Sequence, residues 1–270
     1  MPSKTFPKDL TSYDLLKAVA AIIMVIDHAG YYFFPDDLWF RAIGRIGFPV
    51  WFFLVGHARG REIPLRLLIG AGILVAGDMA AGASVFPLNA LFTIVFIRLL
   101  IDPVMKVALE DARALGAMCL FLFLMVVPSY YVGEYGTQGL IMAMFGYAAR
   151  HRPRVAGFKD EKSVVMALAV VALLSFVVIQ QLIFGFTRPE MLAMFVGTMA
   201  VIGVLLSFKP ANFPALTGKC PRLIAGTVRF MGRRTMEIYV AHLLLFKGLG
   251  MIWDPERFAA FHWHLFPVTG

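Results

Sequence analysis

An aspartate and a histidine stand side by side, Asp27-His28, toward the end of a run that is otherwise apolar apart from Lys17. An Asp at the centre of a bilayer costs about 2.5–3.5 kcal/mol on insertion scales, so an ionisable group there is first read as functional. The imidazole beside it titrates near neutral pH and can carry a proton. A second histidine, His242, falls in the middle of the last apolar run, with Tyr239 three residues before it. A lone histidine on an apolar face is more often a core residue donating to a carbonyl. Two of them with a carboxylate point instead to a shared polar cavity. Arg45 follows the first run after a tight turn, and a buried ion pair with Asp27 would offset the desolvation of both groups and hold His28 in place. Arg41, one turn earlier, is expected to snorkel to the surface as an interfacial anchor. Lys17 precedes His28 by eleven residues, close to three helical turns, which puts the two on one face about 16 Å apart. Asp27 points into the adjacent sector.

Other candidates are more diffuse. Arg59 and Arg61 form one basic corner, Arg150 and Arg152 a second, and Arg229, Arg233 and Arg234 a third. Each arginine taken singly sets topology, but as a cluster they suit a phosphorylated cofactor, because guanidinium matches phosphate bidentately. Asn89, Thr93 and Glu134 open two later helices and are candidates for an acceptor pocket; capping and interhelical hydrogen bonding explain them equally well. Asp78 is a similar case. No His, Cys and carboxylate spacing suits a metal, so none is expected. There is no nucleophile elbow and no Gly-rich phosphate loop. Cys119 and Cys220 form neither a disulfide framework nor a zinc motif.

The elements that must position these groups are helices in a membrane. The chain is 60% hydrophobic and 16% charged, against about 45–50% and about 25% for a soluble domain, and its mean hydropathy is +0.77. Long apolar runs exclude a β-barrel, whose strands alternate. The fold class is therefore all-α, a polytopic bundle of about nine or ten transmembrane helices over residues 1–270 as a single domain. Nine runs are read at 14–35, 40–58, 63–82, 86–101, 112–131, 137–149, 163–184, 190–207 and 235–253. Within the second, Gly44 and Gly47 permit close helix approach and Pro49 removes a backbone bond. Basic loops fall at 150–162 and 208–234, and the stretch Leu223–Phe230 reads as a half-span or a surface amphipathic helix. With the N-terminus inside, twenty of the twenty-five Lys and Arg residues are cytoplasmic, a strong positive-inside bias. The net charge of +8 thus belongs to cytoplasmic loops facing anionic lipid, not to nucleic acid. No cleavage site follows the first run, so it is not a removable signal.

Taken together, Leu16-Lys17, then Met24-x-x-Asp27-His28, then Gly44-Arg45-x-x-Phe48-Pro49-x-x-Phe52-x-Leu54, resemble the TraX family of membrane proteins, named for the F-pilin N-acetylase. Leu88-Asn89-x-Leu91-Phe92-Thr93 and Tyr135-Gly136-x-x-Gly139 resemble later segments of that family in the same order. The ending, Gly232-x-x-Thr235-x-Glu237-Ile238-Tyr239-x-x-His242, is similar to the close of wider transmembrane acyltransferases. Two features depart from the pattern: the stretch Val55 to Gly60, and Tyr239-Val240 where a tyrosine-proline pair is expected.

The resemblance implies acyl transfer from acyl-CoA, acetyl-CoA above all, to an amine or hydroxyl on a glycan, a peptide N-terminus or a small molecule. It further implies a bacterial-type inner membrane and is compatible with a homo-oligomer. On the residues read above, phosphates would meet Lys17, Arg59, Arg61, Arg150, Arg152 and Arg233. His28 would act as general base or as an acyl carrier, Asp27 and Arg45 would tune it, and His242 or Asn89 would donate to the oxyanion. The competing readings are a small proton-coupled transporter using Asp27, His28 and Arg45 as a relay, and a scaffold whose polar residues join helices.

Overall fold

The computed structural model of the chain describes residues 7–258 and 260–267; Lys4, one of the basic residues of the N-terminus, lies outside them. The elements, in order, are α1 (Ser12–Phe33), α2 (Leu38–Arg45), α3 (Phe48–His57), α4 (Leu65–Ala80), α5 (Ala90–Ala108), α6 (Ala112–Leu124), α7 (Val126–Tyr130), α8 (Gly136–His151), α9 (Glu161–Phe184), α10 (Arg188–Leu206), α11 (Pro214–Lys219), α12 (Arg222–Arg233) and α13 (Thr235–Trp253). Among the described residues there is no strand, only isolated bridges between loops. The fold is an all-α bundle, as expected where the backbone must satisfy its own hydrogen bonds in lipid. Among the described residues five segments are long and apolar enough to cross a membrane: α1, α2 with α3, α9, α10 and α13. The other four apolar runs are occupied by α4, α5, α6 with α7, and α8.

Sequence signals set the helix ends. Thr11 and Asp14 form a capping box at the start of α1, and Thr187 and Glu190 form another at α10; each satisfies two backbone donors that would otherwise be orphaned. Loops that the charge pattern assigns to one side touch one another. The Ser12 amide donates to Ala211 O and the Ala112 amide to Ala156 O, both at 2.9 Å or less, at the end rich in Lys and Arg. At the opposite end the Leu88 amide donates to Val132 O, and the Val85 amide to His264 O.

Close packing rests on glycine. A Cβ on Gly56 would run into Ala143 O and one on Gly146 into Phe53 O, so α3 and α8 lie backbone to backbone. Phe52, Phe53, Phe145 and Phe176 fill the core around them. The second apolar run breaks at Ile46-Gly47 into α2 and α3, with Pro49 in the first turn of α3, where its missing N–H costs nothing. Gly44 of α2 presses on Asp27 of α1.

The Leu223–Phe230 stretch lies within α12, which at twelve residues is about 18 Å long, short of a bilayer core. Arg233 pairs with Asp14 at 3.0 Å and Arg229 donates to Lys8 O at 2.7 Å, while Leu223, Ile224 and Phe230 face outward. Of the two readings, this is the surface amphipathic helix.

Candidate active site

Helix α1 delivers its adjacent polar residues to different partners. Asp27 turns toward α2, where Arg41 Nη1 meets its Oδ2 at 3.0 Å and Arg45 Nε lies 3.5 Å from its Oδ1. Arg41 also donates to the Asp27 carbonyl at 2.8 Å. The expectation that Arg41 snorkels outward is therefore corrected: its side chain is 11% exposed and pinned to Asp27. A buried carboxylate is more stably held by two guanidiniums than by one, and α2 is too close to α1 for Arg41 to reach past it.

His28 turns toward α13. Its Nδ1 lies 2.7 Å from His242 Nε2, and His242 Nδ1 lies 2.6 Å from Ile238 O. A carbonyl only accepts, so His242 Nδ1 carries a proton. With both rings neutral, His242 Nε2 accepts and His28 Nδ1 donates. The His28 Nε2 lone pair is left without a protein partner among the described residues. The Tyr239 ring lies 5.8 Å from the His28 ring, centroid to centroid.

Two cavities meet at this histidine. One, of about 380 Å³, runs to the basic end and is lined by Lys17, Arg66 and Arg98 there and by Met24, Trp51 and Ile94 along its length. The other, of about 260 Å³, runs to the opposite end and is lined by Asp78, Asn89, Glu134, Tyr130, Gln180 and Lys247 among others. His28, Arg45, Tyr135 and Tyr239 line both. Asp27 and His242 line neither; they stand behind Arg45 and His28 and position them.

Tyr135 is the residue that sequence reasoning missed at this junction. It is the N-cap of α8, with φ of 67°, a left-handed conformation that a bulky residue adopts at a cost of about 1–3 kcal/mol. Its hydroxyl accepts from Arg45 Nη1 at 3.1 Å, and its ring packs 4.8 Å from that of Phe48. Its segment, Tyr135-Gly136-x-x-Gly139, was read for the family resemblance and not for the site.

The remaining expected residues divide. Lys17 lines the basic-end cavity, on the face that His28 shares. Arg59, Arg61, Arg150, Arg152 and Arg233 do not line it. Arg61 is held by Asp102 at 3.0 Å and by the Val55 and Ala58 carbonyls, and Arg233 by Asp14. Asn89 lines the opposite cavity; its amide nitrogen donates one hydrogen to Ala71 O at 3.0 Å and its oxygen caps Leu91, which fixes the side chain and leaves the second amide hydrogen for a further acceptor. His242, by contrast, has both ring nitrogens engaged and so has no donor left for an oxyanion. Thr93 lines neither cavity and donates to Glu134 O at 2.6 Å. Glu134 faces the opposite cavity while its carboxylate accepts from the Ala90 amide at 3.0 Å; burial, then the neighbouring Asp78 carboxylate, push it up to about 7. Asp78 forms an ion pair with Lys247 across α4 and α13.

Among known proteins, an uncharacterised protein of Rickettsia prowazekii (strain Madrid E) is 43% identical over 65 residues, 24% of this chain. The match spans about a quarter, 26%, of that relative's length. No solved structure matches. The model of the family described as TraX protein matches residues 12–249, taking in both histidines, the arginines of α2 and Tyr135, and the chain therefore belongs to the TraX family.

Proposed function

We propose that the protein is a membrane-embedded acyltransferase that takes an acetyl group from acetyl-CoA on the cytoplasmic side and gives it to an amine or hydroxyl entering from the other. The family's association with pilin acetylation supports the chemistry. The observation that carries it is the meeting of two cavities at one imidazole whose Nε2 has no protein partner. The basic-end cavity suits a donor with an anionic head and a long, mostly neutral arm, since its mouth is cationic and its walls are apolar. The acyl donor supplies the activated thioester carbonyl; the chain supplies the rest.

His28 Nε2 takes the proton of the acceptor as the acceptor attacks the carbonyl carbon, a role that contributes about 10²–10⁴-fold. Tyr135 donates its hydroxyl hydrogen to the carbonyl oxygen as charge builds there, and Arg45, which supports that hydroxyl, adds its own positive charge. His28 then returns the proton to the departing thiolate. Proton and charge balance without a metal or an outside base. In the transporter reading a relay through Asp27 would need its carboxylate open to a pathway, and both of its oxygens face guanidiniums of α2 while Asp27 lines neither cavity.

The test is acetyl transfer by the purified, reconstituted protein, using labelled acetyl-CoA and membrane extract as the source of acceptor. His28→Gln should lower the rate at least 100-fold while CoA still raises the thermal midpoint. Wild-type rates in that variant remove His28 from the chemistry.

A further inference from the structure

The mouth of the basic-end cavity gathers three cations that no acid neutralises by an ion pair. Lys17 of α1, Arg66 in the first turn of α4 and Arg98 of α5 all line it, and none of them is in an ion pair among the described residues. They stand close enough that Arg66 and Arg98 both repel Lys17, and Arg66 repels Arg98. The acids nearby are committed elsewhere: Asp14 to Arg233 and Asp102 to Arg61. Glu62 offsets Arg98 only in part; it accepts from Arg98 through its backbone carbonyl and its side chain is exposed. The Nε of Arg98 is buried without a partner.

Helix α4 adds a second feature at the same place. Its N-cap is Pro64, with no side-chain cap; the Leu67 amide donates to Pro64 O at 2.8 Å, and the Leu65 and Arg66 amides have no acceptor among the described residues. A helix N-terminus carries about half a positive charge, and an arginine in its first turn worsens the electrostatics unless an anion is bound there.

We propose that Lys17, Arg66, Arg98 and the N-terminus of α4 form a phosphate site, and that the phosphates it takes are those of the acyl-CoA donor. This rests on the donor assigned above and replaces the arginines that the sequence suggested for the purpose. Guanidinium forks suit phosphate oxygens. From this mouth the cavity leads along the α1 face to His28, so a donor held here by its phosphates has its thioester end directed at the imidazole.

The experiment measures binding to the full chain in phosphatidylcholine nanodiscs by calorimetry, with CoA and with pantetheine as ligands. Arg66→Gln and Arg98→Gln should each weaken CoA about tenfold or more, the usual value of a charge-assisted hydrogen bond, and leave pantetheine unchanged. Arg59→Gln, off the cavity, should leave both unchanged. Arg66 is exposed with no hydrogen bond holding the fold, so its variant remains informative if that of Arg98 fails to fold. Unchanged CoA affinity in Arg66→Gln, or equal losses for CoA and pantetheine, overturns the phosphate site while leaving the acyltransferase reading intact. Absence of CoA binding in the wild type instead removes the donor and, with it, that reading. A repeat in phosphatidylglycerol nanodiscs separates the remaining source: if anionic lipid abolishes CoA binding to the wild type but not to Arg66→Gln, the site belongs to lipid headgroups.

Discussion

Asp27, Arg41 and Arg45 together carry one net positive charge, buried beside the junction of the two cavities. Removing Asp27 would leave two buried guanidiniums uncompensated, the case that costs about 3–5 kcal/mol, whereas removing either arginine leaves a neutral pair, so the carboxylate is the member on which the clamp depends. In the proposed reaction this net charge would face the carbonyl oxygen as it becomes negative, with Tyr135 conveying it through the hydrogen bond from Arg45. At the far side of the junction Glu134 behaves differently. Its value of about 7 stands above the ordinary 4.5 for a glutamic acid. The stability it contributes is therefore complete below the unfolded value and is lost as pH rises through about 7. We expect the thermal midpoint of the wild type to fall relative to Glu134→Gln between pH 5 and pH 8, the ionised carboxylate being the less stable form in this site. A pH-independent difference between the two proteins assigns Glu134 to capping α5 alone.

At the scale of elements, the site depends on how closely α2 approaches α1. A Cβ at Gly44 would collide with the Cβ of Asp27, whereas one at Gly72, on α4, would meet open space. Gly44→Ala should lower stability by about 1–3 kcal/mol through overpacking and reduce transfer by displacing Arg45. Gly72→Ala should be neutral or stabilising by up to about 1 kcal/mol; thermal unfolding in detergent, beside the transfer assay, compares them. The pair also marks what the sequence made legible. Hydropathy located the nine apolar runs, and Gly44 announced the close approach of the second, because these are local properties of lipid burial and backbone geometry. Pro49, read as removing a backbone bond, instead stands in the first turn of α3, and the break at Ile46-Gly47 was not read. Arg45 was matched to Asp27 because a short turn joins their helices. Arg41 was misread because its burial depends on the crossing of α1 and α2, which hydropathy does not encode. Tyr135 and the cations of α4 and α5 were missed for a related reason. Their meaning comes from helices distant in sequence that converge on one cavity, and the phosphate site in particular has no linear motif. His28 and His242 are 214 residues apart, and only their rarity in apolar runs linked them.

At the scale of the molecule, the two cavities give the bundle a direction. Cations outside any ion pair among the described residues crowd the mouth of one, whereas in the other Arg41 and Lys247 are paired with carboxylates and stand among amides and tyrosines. The asymmetry follows the distribution of loop charge, which by the positive-inside rule puts the basic end in the cytoplasm, where CoA is found in the proposed reaction. The two native cysteines allow a direct check of this orientation. Cys220, between α11 and α12 at the basic end, is partly exposed, whereas Cys119 is buried in α6. A membrane-impermeant maleimide should therefore label Cys220 in inverted vesicles and not in intact right-side-out ones. A cysteine placed at Asp37, in the loop between α1 and α2 at the other end, should show the reverse. If the labelling pattern is inverted, Lys17, Arg66 and Arg98 open to the outside, and a cytoplasmic acyl-CoA has no route to His28 through the cavity they line.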